Sequence, residues 1–316
     1  MFQMKLIKKL KTSYSIRLSG DKRFLCHNMS NKTIVYDITT WEKVAELNKP
    51  NYPGDIRFSL DNDYLLIKST TGTICVYRTA DFQLVRKVQS KKSFKLVEGD
   101  VNFTKDHSLI LSAVETNNGR QIGAIHIHTG EYTVLTKFEN AHPLIYYHQF
   151  VGDRDEHLFT LSYVNEIDYR ENRIVRLKEP INKQPIELKS HPEVPIWDSV
   201  VFDPVHDVYI LVDNYEVILM DSDFKSVLKK VHIVGNRFTE RQIGFFRHLH
   251  QSQDGRFIVL TYSECVVILR YEDLKTIWIE SVPYASFAEF SNDDQYLLVG
   301  TWECGYVFEN NLPQRF

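Results

Sequence analysis

One pattern of apolar and turn positions returns along the chain: a short apolar stretch, a Ser-x-Asp turn, a second and more hydrophobic stretch, then another turn and strand. It is clearest in Asp55 to Leu66, DIRFSLDNDYLL, and in Ala288 to Leu298, AEFSNDDQYLL, at opposite ends of the sequence. With the first turn residue as anchor, copies fall at Ser19, Ser59, Thr104, Val151, Asp203, Ser252 and Ser291, in steps of 40, 45, 47, 52, 49 and 39 residues. Periods of this size with four short strands each are the mark of propeller blades, not of helical solenoids.

Each position around the anchor has its own chemistry. Two residues after it stands Asp21, Asp61, Asp106, Asp153, Asp254 or Asp293, with Val205 the exception; a short carboxylate there can accept hydrogen bonds from turn amides. One residue before it, Leu18, Phe58, Phe103, Phe150, Phe202 and Phe290 supply large apolar groups for packing between neighbouring sheets, Gln251 alone departing. Third strands such as TIVYD (Thr33 to Asp37), TICVY (Thr73 to Tyr77), VILMD (Val217 to Asp221) and VVILR (Val266 to Arg270) are β-branched runs suited to burial on both faces. The last copy runs out after its third strand, GYVFEN, and MKLIKKL (Met4 to Leu10) precedes the first copy. The N-terminal segment is therefore expected to supply the missing outer strand and remove two sheet edges. The expected architecture is all-β: one domain spanning residues 1–316, a seven-bladed β-propeller of four-stranded antiparallel blades closed by the N-terminal strand in the last blade.

FSLDNDYLL with ICVY, and FSNDDQYLLVG, resemble the WD-repeat family, whose inner-strand turn often reads Phe-Ser-Pro-Asp-Gly and whose third strand often ends Trp-Asp or Tyr-Asp. The resemblance covers nearly the whole chain and is divergent: Tyr36-Asp37 alone keeps the terminal pair and the family's Gly-His dipeptide is absent. It implies a scaffold whose top face, where the second and third and the fourth and first strands are joined, binds a protein or peptide.

Composition narrows the function classes. A formal charge of −3, from 38 basic and 41 acidic residues with no block of like charge, argues against a nucleic-acid partner. No run of 18 apolar residues exists and Met1 to Tyr14 has no signal-like apolar core, so a cytoplasmic protein without membrane contact is expected. Cys26, Cys75, Cys265 and Cys304 have no close partner in sequence and read as reduced, mostly buried thiols.

Two sets of residues are candidates for binding. Two positions before each anchor, alternation turns Arg17, Arg57, Asn102, Gln149, Val201, His250 and Glu289 off the apolar face, where they are expected to border a central channel. There Glu289 can neutralise a neighbouring arginine, or Arg17 and Arg57 can grip an anionic group. The second set lies in the top-face loops, which combine aromatics with prolines: Tyr52, Phe94, His142, Trp197, Arg237, Tyr284 and Trp302. Tyr, Trp and Arg are the residue types that anchor interfaces, though aromatics in such loops can equally cap the sheet cores.

His126 with His128, and His248 with His250, are two apart and share a strand face, and Glu289 lies on the next copy; hydrogen-bonded strand histidines are the expected reading, with no metal and no cofactor. No G-x-S-x-G elbow, phosphate loop or dinucleotide fingerprint occurs, and one carboxylate with one Asn and one Gln is thin equipment for a channel hydrolase, which stands as the alternative function. The charged excursion Tyr163 to Pro185 is expected to lengthen the second and third strands of the fourth blade.

Overall fold

The computed structural model describes residues 4–136, 143–164, 170–181, 184–233 and 239–312. Strand dominates; helix among these residues is confined to a 3-10 turn, Gly152–Arg154, and one short α-helix, Glu240–Ile243.

The strands form seven antiparallel sheets in chain order. The first runs Ile16–Leu18, Phe24–Asn28, Thr33–Asp37, Lys43–Leu47, and the second Pro53–Phe58, Tyr64–Ser69, Ile74–Arg78, Leu84–Val88. The third is Lys95–Phe103, Leu109–Thr116, Gly119–His126, Tyr132–Val134; the fourth is Leu144–Val151, Glu156–Val164, Arg170–Lys178, Ile186–Lys189. The fifth is Ser199–Asp203, Val208–Asp213, Glu216–Asp221, Val227–His232, and the sixth Phe246–Gln251, Phe257–Tyr262, Cys265–Arg270, Thr276–Ser281. In the seventh, Ala285–Phe290 pairs with the long strand Tyr296–Glu309, which folds back at Trp302 and Glu303 and takes Lys5–Ser13 as its outer partner. That last pairing is antiparallel, from Lys5 opposite Glu309 to Leu10 opposite Gly305, so the N-terminal strand closes the seventh sheet as expected. The architecture is a seven-bladed β-propeller.

Two compact units are distinguished: Met1–Leu18 with Trp197–Phe316, and Ser19–Ile196. In each, successive sheets pack face to face through the apolar runs of their middle strands. Ile210, Val217, Leu260 and Val267 join the fifth and sixth sheets, and Leu66, Val76, Ile110 and Ile125 join the second and third. All eight are fully or almost fully buried, and each such side chain contributes about 1.5–3 kcal/mol relative to exposure. Cys26, Cys75 and Cys265 are buried free thiols among them, and Cys304 is half-buried.

The recurring turn explains why the sheets begin where they do. In five of them the anchor hydroxyl donates to the carboxylate two residues on: Ser19 to Asp21, Ser59 to Asp61, Thr104 to Asp106, Ser252 to Asp254 and Ser291 to Asp293, at 2.5–2.8 Å. The same hydroxyl accepts the amide of the residue opening the second strand, as Ser59 does from Tyr64 at 2.9 Å. The carboxylate accepts a turn amide in its turn, as Asp61 does from Asp63 at 3.0 Å. A residue between them takes the left-handed conformation, Lys22, Asn62, His107, Gly255 or Asp294. The fifth sheet, which lacks the second carboxylate, uses Asp203 itself as acceptor for the amides of Val205 and His206, at 2.9 and 3.2 Å. One chemical device is thus built two ways.

The strands Glu156–Val164 and Arg170–Lys178 have nine residues each, against five or six in most second and third strands. The tip of that excursion lies outside the described residues.

Candidate functional site

Three neighbouring loops of the unit containing the seventh sheet hold aromatic side chains out of the core. Phe245, Tyr284 and Trp302 are 72%, 54% and 60% exposed, although rings of this size are normally sequestered. Backbone bonds place them side by side: the Trp302 amide donates to the Tyr284 carbonyl at 3.2 Å, Ala285 to Ser263 at 3.2 Å, and Ser263 to Phe245 at 2.8 Å. The half-buried Tyr14 ring leans on Trp302 at 4.7 Å between centroids. The turn carrying Trp302 is locked from beneath by buried Thr301, whose hydroxyl accepts the amides of Glu303 and Cys304 and donates to the Cys304 carbonyl. Tyr284 has φ +60°, a left-handed conformation that costs a bulky L-residue about 1–2 kcal/mol. Backbone strain of this kind is held by its surroundings, here by the Trp302 amide.

The other unit repeats the arrangement once. Tyr52 is 61% exposed at φ +53°, and its carbonyl accepts the Thr70 amide at 3.0 Å. Tyr52, Phe245 and Tyr284 each stand seven positions before an anchor, at Ser59, Ser252 and Ser291. Phe245 was not among the residues expected at this surface, and that fixed spacing is the signal that marks it.

Two of the expected surface aromatics are core residues instead. Phe94 is 2% exposed and stacks on Tyr132 at 4.3 Å, capping the core shared by the second and third sheets. Trp197 is 5% exposed and packs edge-on to Phe224 at 5.4 Å. Each finds an aromatic partner below it, so burial gains more than a solvent-facing rotamer would. His142 and Arg237 lie outside the described residues.

The inner-strand set is resolved into two polar clusters, one in each unit. In the first, Arg17 on Ile16–Leu18 forms an ion pair with Glu289 on Ala285–Phe290, and the other Glu289 oxygen lies 2.9 Å from Nε2 of His248. Burial alone works against ionising this carboxyl, but Arg17 first and His248 next outweigh it and hold Glu289 well below the usual glutamate range. Arg17 also lies over the Phe287 ring at 5.3 Å. Donor atoms of His248, His250 and Glu289 all fall within 4.8 Å of one another, all three residues being half-buried. Sequence reading set His248 beside His250 on one strand face with Glu289 on the next copy, and took the histidines as hydrogen-bonded strand residues; the structure brings all three together.

In the second cluster, Arg57 lies 3.2 Å from Asp55 and 3.8 Å from Asp100. Beside them Lys68, on the second strand of the same sheet, is 1% exposed and donates to the Ser112 hydroxyl at 2.9 Å. Burial pushes its ammonium down to about 8, and only the nearby carboxylates of Asp55, Asp100 and Glu98 oppose the fall. Asn102 donates to the Tyr147 hydroxyl at 2.9 Å, which meets Nδ1 of buried His157 at 3.2 Å; Nε2 of His157 is 2.6 Å from Glu179. Gln149 is half-buried on Leu144–Val151. Each arginine therefore has carboxylate partners within its own unit.

No family model matches the chain, and no curated protein sequence matches it. Among solved structures, Kuenenia stuttgartiensis hydrazine synthase matches with a TM-score of 0.74 at 12% identity, over 96% of this chain and 97% of that one. The Cps50 (Swd1) β-propeller domain of Myceliophteria thermophila matches with a TM-score of 0.71 at 12% identity, over 98% and 100%. Likeness at this identity is likeness of fold: this chain shares the β-propeller architecture with both.

Proposed function

We propose that the chain, residues 1–316 acting as one domain, is a non-catalytic scaffold that binds a protein or peptide through the exposed aromatics of its loops. The observation that supports this best is the row Phe245, Tyr284 and Trp302, exposed together on backbone that is hydrogen-bonded and, at Tyr284, strained. Rigid aromatics lose little side-chain entropy on binding and dominate hot spots, so a pre-set row of three is suited to anchor a partner. The Swd1 propeller domain shares the fold, and no helix among the described residues is long and apolar enough to cross a membrane. Tyr52 extends the reading to the other unit.

The test is quantitative capture of partners from the native cell by wild type and by Tyr284→Gly with Trp302→Ala. Glycine relieves the left-handed strain at 284, offsetting the entropy it adds to the unfolded chain, so folding is retained. Recovery of the specific partner is expected to drop at least about tenfold, since a truncated hot-spot residue costs about 2 kcal/mol or more. A matched change in a turn, Asp61→Ala, is expected to spare it. Unchanged recovery with the double variant defeats the reading.

A further inference from the structure

We propose that His248, His250 and Glu289 form a binding site for a divalent transition-metal ion of the zinc class. His248 and His250 stand on one strand, Phe246–Gln251, two residues apart, so alternation turns both imidazoles to the same face. Glu289 comes from Ala285–Phe290, the strand packed against it. The three offer two nitrogens and one oxygen within 4.8 Å of one another.

Bonds of about 2.0–2.2 Å to a common ion place two of its ligand atoms about 3–4 Å apart. The Nε2 of His248 and Oε1 of Glu289, at 2.9 Å, already have such a spacing. The remaining edges close with a shift of about an ångström or less, within reach of rotation about the side-chain bonds of His250. Ring packing limits the alternatives: Phe287 stands edge-on to His248 at 6.2 Å between centroids and Phe290 lies 6.4 Å from His250.

Arg17 fits this assignment as a positioning residue. It engages Oε2 of Glu289 and leaves Oε1 turned to the imidazoles, as hydrogen-bonded outer partners commonly orient ligating carboxylates. Its charge is neutralised by Glu289, so an arriving cation meets a site of no net negative charge. Affinity must then come from imidazole coordination, which selects zinc, cobalt or iron(II) over magnesium and calcium, whose preferred ligands are all oxygen. Three protein ligands leave a fourth position for water. The assignment is independent of the aromatic row and of any partner bound there.

Untagged full-length protein, stripped with a chelator and dialysed, is titrated with cobalt(II) and then with zinc(II). One cobalt per chain is expected, with visible absorption bands that zinc abolishes, and metal analysis after zinc loading is expected to give one ion per chain. His250→Ala is expected to weaken cobalt binding at least tenfold, whereas His206→Ala, whose ring is engaged by Asp203 and Tyr271, leaves it unchanged. Glu289→Gln is expected to do the same as His250→Ala. It also leaves Arg17 without its partner, so His250→Ala, checked for folding by circular dichroism, is the deciding variant. No stoichiometric metal on the wild type, or wild-type affinity in folded His250→Ala, overturns the site and leaves Arg17, His248 and Glu289 as an ion-pair cluster only.

Discussion

Arg17 and Glu289 are 272 positions apart in the chain and form an ion pair on adjoining inner strands, with side chains only 13% and 14% exposed. The pair links the first strand after the N-terminal segment to the last sheet, beside the seam where Lys5–Ser13 completes that sheet. Removing one partner leaves a largely desolvated charge unmatched, so Glu289→Gln is expected to cost about 3 kcal/mol in urea denaturation. A double-mutant cycle with Arg17→Gln is expected to recover much of it. Equal and additive losses from the two single variants would show the residues to be uncoupled.

The same pair sets a response to acid. Glu289 has its folded value depressed below the ordinary carboxyl value of about 4.3, so the unfolded chain binds the proton more readily. Its contribution is fully present above that ordinary value and is lost as pH falls through the depressed one. Wild type is expected to lose stability below about pH 4 more steeply than Glu289→Gln, in matched denaturation curves. Parallel curves would mean that the carboxylate is not held ionised by Arg17.

The recurring turn was readable from sequence because its chemistry is local: a hydroxyl, a carboxylate two residues on and a left-handed residue after it act without help from distant strands. The closing strand was readable for a related reason, since a sheet with a missing edge demands a partner. Surface and core aromatics could not be separated that way. Trp197 and Trp302 occupy similar loops, and only the partner below Trp197, Phe224, decides that it is buried. Lys68 escaped notice because a lysine in a strand ordinarily reaches solvent; Ser112 and the carboxylates that receive it come from other strands. His248 and His250 were placed on one face by their spacing of two, but how near Glu289 comes to them is set by packing between two different sheets.

Lys68 adds a pH dependence of the same sign in the alkaline range, through a penalty that is lifted and not a contribution that is gained. Its folded value of about 8 lies below the ordinary lysine value of about 10.4, so the unfolded chain binds the proton more tightly between the two. The burden on stability is whole below pH 8 and is lifted as pH rises toward 10.4, by about 3 kcal/mol at most. Relative to Lys68→Met, wild type is expected to gain stability between pH 7 and 9.5 in guanidinium titrations. A difference independent of pH would place the Lys68 ammonium in contact with water.

The turn device is open to a single-site test. Ser59 accepts the Tyr64 amide and donates to Asp61, which holds the Asp63 amide. Ser59→Ala and Asp61→Ala are each expected to cost about 1 kcal/mol, the typical net value of such bonds. Together they are expected to cost less than the sum, because the hydroxyl–carboxylate bond is shared and is lost only once. Full additivity in thermal unfolding would show that the two side chains act separately.

Trp197 and Trp302 provide the sharpest contrast, since composition gives them the same standing and burial separates them. Trp197 is 5% exposed and packed against Phe224, so Trp197→Ala opens a cavity and is expected to cost about 3–5 kcal/mol. Trp302 is 60% exposed, touches Tyr14 on one side and sits on a turn held by the Thr301 hydroxyl, not by the indole. Trp302→Ala therefore forfeits little beyond one partly solvated ring contact, about 1 kcal/mol at most. Circular dichroism in a urea series measures both without depending on the fluorophore removed. If Trp302→Ala proves as damaging as Trp197→Ala, the indole is part of the fold and the aromatic row is not a free surface. If the two losses separate as expected, Trp302 is available to a partner at almost no cost in stability, as an interface anchor must be.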